Sequence, residues 1–201
     1  MLSYINGKAI GEVCHQAGEL LYETGSELGK ISRALENFDS DALKREFDWD
    51  LRRFPEIVEK RISLIRDRAL SGFVAETVLL YNKIVKPYAR DLREGIVLND
   101  ANDYNIIVDD QNGPGCYPGV AGFIDFGDAI FSWTISDLAV AIAYLMLDKE
   151  DPLSSALSVV KGYCTVFKIS PVEADLLFIL ARMRLSISIC MAASQQKERP
   201  R

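Results

Sequence analysis

The chain holds a single histidine, His15, and its four cysteines (14, 116, 164 and 190) form no Cys-x-x-Cys pair. That is too sparse a ligand set for a zinc site. Basic residues form no stripe. The formal net charge is -6, from 23 basic and 29 acidic residues, which argues against a nucleic-acid partner, since phosphate contacts need clustered Lys and Arg. The longest unbroken apolar run, Leu138 to Leu147, is too short to span a bilayer. No basic segment leads into an apolar core at the start, so no signal peptide is evident. A soluble, cytoplasmic protein with neither nucleic acid nor membrane as partner is the expectation. Internal repeats and low-complexity linkers are also missing.

What is present is a hydrophobic core and helix signals. Hydrophobic residues make up 49% of 201, enough for a real core, and the length suits one domain or a domain with an extension. Apolar residues from Ile10 to Leu35 recur at a helical period, predicting a helix from Lys8 to Leu35. Ser40 and Asp41 are placed to cap a short helix, and Pro55 suits a first helical turn. Ser71 is a candidate cap for a helix running towards Pro87, which should kink or end it. Ser136 is expected to cap a helix to Leu147, and Pro152 and Pro171 open two more. Cys14, Cys164 and Cys190 fall in such stretches, where a buried reduced thiol is expected. Trp49 reads as core, and His15 receives no chemistry. An acidic face would suit a cationic amine, although such charge more often serves solubility.

Two segments interrupt the helices. The first runs Val97-Leu98-Asn99-Asp100-Ala101-Asn102-Asp103-Tyr104-Asn105 into the apolar run Ile106-Ile107-Val108. The second runs Val120 to Ile124 into Asp125-Phe126-Gly127-Asp128. The turn-rich stretch from Asp109 to Gly115 lies between the apolar runs, so they read as a hairpin. Asn105 then enters one strand where Asp125 leaves the other, and both stand at the same end beside Asp100. A carboxylate to orient a hydroxyl, with oxygen ligands for Mg²⁺ on nucleotide phosphates, is what phosphoryl transfer asks of a protein. Asp and Asn are also ordinary turn residues, and the first segment alone would read as a polar loop; Asn102 and Asp103 read as solvated loop residues, with facing a substrate as the alternative for either.

Taken together, the segments resemble the C-terminal lobe of the aminoglycoside phosphotransferase and choline kinase group, with hydroxylysine-kinase-like phosphotransferases nearest in the Asn-Asp-Tyr-Asn loop and the Trp49 segment. The specific match covers roughly 45 residues. The family's His-x-Asp-x4-Asn pattern falls on Leu98, Asp100 and Asn105, with Leu98 in place of the His that buttresses the loop. Its Asp-Phe-Gly-like segment falls on Asp125, Phe126 and Gly127. The resemblance implies Asp100 as the catalytic residue, Asn105 and Asp125 as Mg²⁺ ligands, and Asp137 as a residue steadying the loop. By its residue type alone Asp137 could equally cap the next helix beside Ser136, and Asp128 reads as a turn carboxylate or a support to the site.

The implied fold is α+β and mainly helical: a protein-kinase-like C-terminal lobe with a small β-hairpin and without its N-terminal lobe. Its parts are a helical section over 1–95, the catalytic loop, hairpin and Asp-Phe-Gly segment over 96–130, C-terminal helices over 131–195 and a frayed tail over 196–201. No Gly-rich loop followed by a Val-x-x-Lys strand precedes Asp100, so most ATP contacts are expected from a lobe outside this chain. The expected partners are a small-molecule hydroxyl acceptor, that N-terminal lobe and, because some relatives are fused modules, an aminotransferase. The isolated chain is expected to be inactive. A non-catalytic binding or interaction module is the alternative, supported by Leu98.

Overall fold

The structure is a computed structural model that describes residues 4–13, 16, 18–109 and 119–198. Six helices carry most of it: α1 (Gly18–Leu35), α2 (Phe54–Arg61), α3 (Arg68–Leu80), α4 (Ser136–Leu145), α5 (Pro152–Val166) and α6 (Pro171–Glu198). Five short strands are β1 (Lys8–Ala9), β2 (Glu94–Val97), β3 (Ile106–Asp109), β4 (Gly119–Phe123) and β5 (Ile130–Trp133). They form a three-stranded sheet in the order β1-β3-β4 and a two-stranded sheet of β2 and β5, all pairs antiparallel.

The fold class is as expected, and the β3–β4 hairpin stands where the apolar runs placed it, with Ile106 opposite Phe123. The turn from Asp110 to Gly115, together with Cys14, His15 and Cys116, lies outside the described residues. Several expectations are corrected. The section over 1–95 is not helical throughout: Lys8 and Ala9 pair with Val108 and Ile107, Ile10–Glu12 is a single tight turn, and α1 begins only at Gly18. The helical spacing of Ile10 and Val13 misled because so short a strand carries no period of its own. One hairpin is likewise too few strands, since β2 pairs with β5 from Glu94 opposite Trp133 to Val97 opposite Ile130.

The caps also differ in places. Ser40 makes no capping bond and only the turn Asp41–Leu43 forms. Asp67, not Ser71, caps α3 by accepting from the Leu70 N–H. Ser136 is the first residue of α4 rather than its cap. Pro55, Pro152 and Pro171 do open helices, as proline without an N–H can. At Pro87 the backbone has passed from a wide π turn (Tyr81–Val85) into a tight one (Lys86–Asp91). The tail is not frayed through its described part, because α6 runs on to Glu198.

Close packing fixes how the helices meet. Helices α1 and α5 touch through backbone: a Cβ at Gly25 would fall 1.9 Å from the Val159 carbonyl oxygen, and one at Gly162 would fall 1.8 Å from that of Tyr22. Helix α6 packs on α2, α3 and α4. The stretch Pro171–Lys197 is long and apolar enough, by length and composition, to cross a membrane, although charged residues interrupt it and no unbroken apolar run within it is that long. Half of its most apolar window is buried against protein, the setting of a core helix. At its start, Ser170 and Glu173 exchange bonds: the Ser170 N–H donates to Glu173 Oε2 and the Glu173 N–H to Ser170 Oγ. That reciprocal cap fixes where α6 begins.

Candidate active site

Strand β2 delivers the chain to Asn99, which takes a left-handed backbone (φ 66°), a conformation Asn tolerates better than most residues. The carboxylate of buried Asp137 accepts the N–H of Leu98 at 3.0 Å and that of Asn99 at 2.7 Å. Asp137 therefore braces the loop from beneath, and α4 starts without a side-chain capping bond. Burial pushes its carboxyl up to about 6, against the opposing pull of the two N–H groups and Arg184. Leu98 is itself buried in the core, so an apolar side chain occupies the position where the resembled family has His.

Asp100 has each oxygen assigned. Its Oδ1 accepts from Arg184 Nη2 at 2.5 Å. Its Oδ2 accepts from Asn102 Nδ2 at 3.0 Å and Asn105 Nδ2 at 2.9 Å. Asn105 Nδ2 also donates to the Asp100 carbonyl at 2.9 Å. Two acceptors on that nitrogen settle the amide orientation and turn Oδ1 of Asn105 away from Asp100. Asn102 is not merely a solvated loop residue: its Oδ1 accepts the N–H groups of Tyr104 and Asn105, closing an Asx turn. Asp103 is half-buried, its carbonyl accepts the Gly11 N–H at 2.9 Å, and burial pushes its carboxyl up.

Asp125 follows directly. The Ile124 N–H donates to the Asn105 carbonyl at 3.0 Å, so Asn105 and Asp125 flank the same end of the hairpin. Asp125 also has a left-handed backbone (φ 60°), and its carboxylate accepts the Gly127 N–H at 3.3 Å. The turn Phe126–Asp128 after it is held by Arg45, whose Nη2 donates to the carbonyls of Gly127 at 2.6 Å and Ala129 at 3.3 Å. The Asp128 carboxyl is pushed up by burial and then by the negative charges of Asp100 and Asp125, with Arg184 and Arg45 opposing. Asp100, Asp125 and Asp128 thus share one electrostatic neighbourhood, with Asn105 beside them and Asp137 behind. Among the described residues no three His, Cys, Asp or Glu side chains close into a ready metal cage. The donor set is instead an amide oxygen and carboxylates, which suits a hard cation that takes further oxygens from a ligand.

Sequence reasoning missed Arg184. It lies in α6, only 2% exposed, pairs with Asp100 and stacks on Trp49 with its guanidinium carbon 4.3 Å from the ring centre. The available signal was an arginine in the stretch of α6 where apolar residues predominate, Leu176 to Cys190, in which Arg182 is the only other charged residue. Trp49 is partly buried against the core, as expected, and it is also the platform for this guanidinium.

Residues 1–174 match the family described as "Phosphotransferase enzyme family". Hydroxylysine kinase of Mus musculus is 31% identical over 202 residues, covering 96% of this chain and 52% of its own length. Its counterpart in Xenopus laevis is 30% identical over 200 residues, covering 96% and 53%. The chain therefore spans about half the length of the curated relatives it matches. Among solved structures, an amicoumacin kinase in complex with AMP-PNP, Ca²⁺ and Ami has a TM-score of 0.66 at 13% identity, covering 96% of this chain and 56% of that one. A microcompartment-associated aminopropanol kinase has a TM-score of 0.60 at 16% identity, covering 91% and 62%. These two likenesses show a shared fold. No relative named here carries an aminotransferase in its name, so a fused aminotransferase gains no support.

Proposed function

Because this chain belongs to the phosphotransferase enzyme family, we propose that it forms the catalytic-loop lobe of an ATP-dependent kinase that moves the γ-phosphoryl group onto a small-molecule hydroxyl. A hydroxylated amine or amino acid is the acceptor class, in keeping with relatives named hydroxylysine kinase. The observation that carries the reading is the Asn105 amide. Its nitrogen is tied to Asp100, which leaves its oxygen for a cation at the end of the hairpin where Asp125 stands.

In this reading Asp100 accepts a hydrogen bond from the acceptor hydroxyl, aims its oxygen at the γ-phosphorus and takes the proton as the new P–O bond forms, while the bond from the γ-phosphorus to the β–γ bridging oxygen breaks and ADP leaves with its electron pair. Asn105 Oδ1 and the Asp125 carboxylate would hold Mg²⁺, which when bound would offset charge on the phosphate oxygens. Asp128 supports that pair, and Asp137 keeps the peptides entering Asp100 in place. We assign the remaining nucleotide contacts to a lobe outside these 201 residues. The non-catalytic alternative draws on Leu98, but the resemblance gives the His at that position a buttressing role and no chemistry, and the Leu98 and Asn99 peptides are held by Asp137.

ATP consumption over a panel of hydroxylated amines and amino acids tests this. The 201-residue chain is expected to show no acceptor-dependent turnover. The full-length product of its gene should turn over, and Asp100→Asn in it should remove most activity. Unchanged turnover by Asp100→Asn would refute the role of Asp100. Robust turnover by the 201 residues alone would refute the two-lobe reading.

A further inference from the structure

We propose that Arg184 is a positioning residue for the phosphotransfer, holding the Asp100 carboxylate through a guanidinium that is itself locked by a closed hydrogen-bond ring. The inference rests on the reading of Asp100 given above.

The guanidinium has its position determined on several sides. It stacks on Trp49 at 4.3 Å and lies 5.6 Å from the Tyr144 ring centre. Its Nε donates to the Tyr144 hydroxyl at 3.2 Å. Tyr144 and Ser188 hydroxyls are 2.8 Å apart, and Ser188 Oγ donates to the Arg184 carbonyl at 3.1 Å. Ser188 has one hydroxyl proton and spends it on that carbonyl, so Tyr144 must be the donor between the two hydroxyls. The ring then runs in one direction: Arg184 Nε to Tyr144, Tyr144 to Ser188, Ser188 back to the Arg184 carbonyl. Of the two terminal nitrogens, Nη2 is aimed at Asp100 Oδ1, while Oδ2 is taken by Asn102 and Asn105. The carboxylate plane is set from both edges.

Stability is a poor explanation for this arrangement. Arg184 Nη1 is buried and has no hydrogen-bond partner among the described residues, and an incompletely satisfied buried ion pair is commonly no better for folding than well-packed apolar residues of similar volume. Orientation is what the pair supplies, and a displacement of about 1 Å in a reacting group can cost on the order of a hundredfold in rate.

The test is a set of variants in the full-length gene product. Arg184→Met is expected to lower kcat by about a hundredfold and to leave KM for ATP within about twofold, because the arginine acts through Asp100 and not on the nucleotide. Tyr144→Phe, which opens the ring with almost no change in volume, should lower kcat severalfold. Neither substitution should slow Asp100→Asn further, since both act through the missing carboxylate. Losses that multiply in the double variants, or an unchanged kcat in Tyr144→Phe and Arg184→Met, would overturn the positioning role while the role of Asp100 stands. Full activity in Asp100→Asn would instead overturn the reading beneath it. Should Arg184→Met fail to fold, Arg184→Lys keeps the charge without the fork and carries the same comparison.

Discussion

The backbone N–H of Asn99 donates to Asp137 Oδ1 at 2.7 Å, so a residue at the start of α4 holds the peptide that leads into Asp100. Its other oxygen takes the Leu98 N–H. Asp137→Ala would strip both donors of their acceptor inside the core. Each buried unsatisfied group costs about 1–3 kcal/mol, so a loss of roughly 2–6 kcal/mol is expected in urea unfolding. A loss below about 1 kcal/mol would show that water replaces the carboxylate.

Asp137 also sets a pH dependence. Its folded carboxyl is raised from 3.8 to about 6, chiefly by burial. A raised acid contributes stability that is fully present below the unfolded value and is lost as pH climbs through the folded one. The stability difference between the parent chain and Asp137→Asn, which cannot titrate there, should therefore shift against the parent by roughly 2–3 kcal/mol between pH 4 and pH 7. A difference independent of pH would show that the carboxyl is not desolvated.

The α1–α5 contact admits no side chain. Gly25→Ala and Gly162→Ala each drive a methyl to within 1.9 Å or 1.8 Å of a carbonyl oxygen. Overpacking of this kind costs about 1–3 kcal/mol or more, and the upper end is expected because backbone must move. Gly72→Ala, on the exposed face of α3 with nothing within 4 Å, should instead leave the melting temperature unchanged or raise it slightly.

Asn105→Asp replaces a donor 2.9 Å from Asp100 Oδ2 with a second carboxylate. Like charges at that separation disfavour joint ionisation, so this variant should melt below Asn105→Ala in metal-free buffer. Millimolar Mg²⁺ should raise the melting temperature of Asn105→Asp more than that of the parent. Equal responses to Mg²⁺ would mean that position 105 does not face the cation.

What could be read from the residues, and what could not, divides by distance along the chain. The β3–β4 hairpin declares itself through two apolar runs close together, and Pro152 and Pro171 mark helix starts locally. Strand β1 has two residues and a partner about a hundred positions away. Strands β2 and β5 are short and separated by the whole loop and hairpin, so no local pattern links them. For the site, the order Asp100, Asn105, Asp125 was visible because a resemblance supplied the spacing. Arg184 lies 84 residues beyond Asp100 on a helix whose neighbours are apolar, and only the fold brings it under the loop.

Helix α6 has one more property that follows from its two arginines. Between Leu180 and Cys190 every residue is buried or half-buried, so its apolar pattern favours no particular azimuth about the helix axis. Arg182 and Arg184 stand about 200° apart on such a helix. Arg182 turns to α3, with Nε on Thr77, its guanidinium over Phe73 and an ion pair to Glu76, and Arg184 turns to Asp100. A slip of one residue would swing both by about 100° and unseat both at once. The helix is keyed like a shaft with two opposed splines, and the keying that sets its rotation also sets the Asp100 carboxylate.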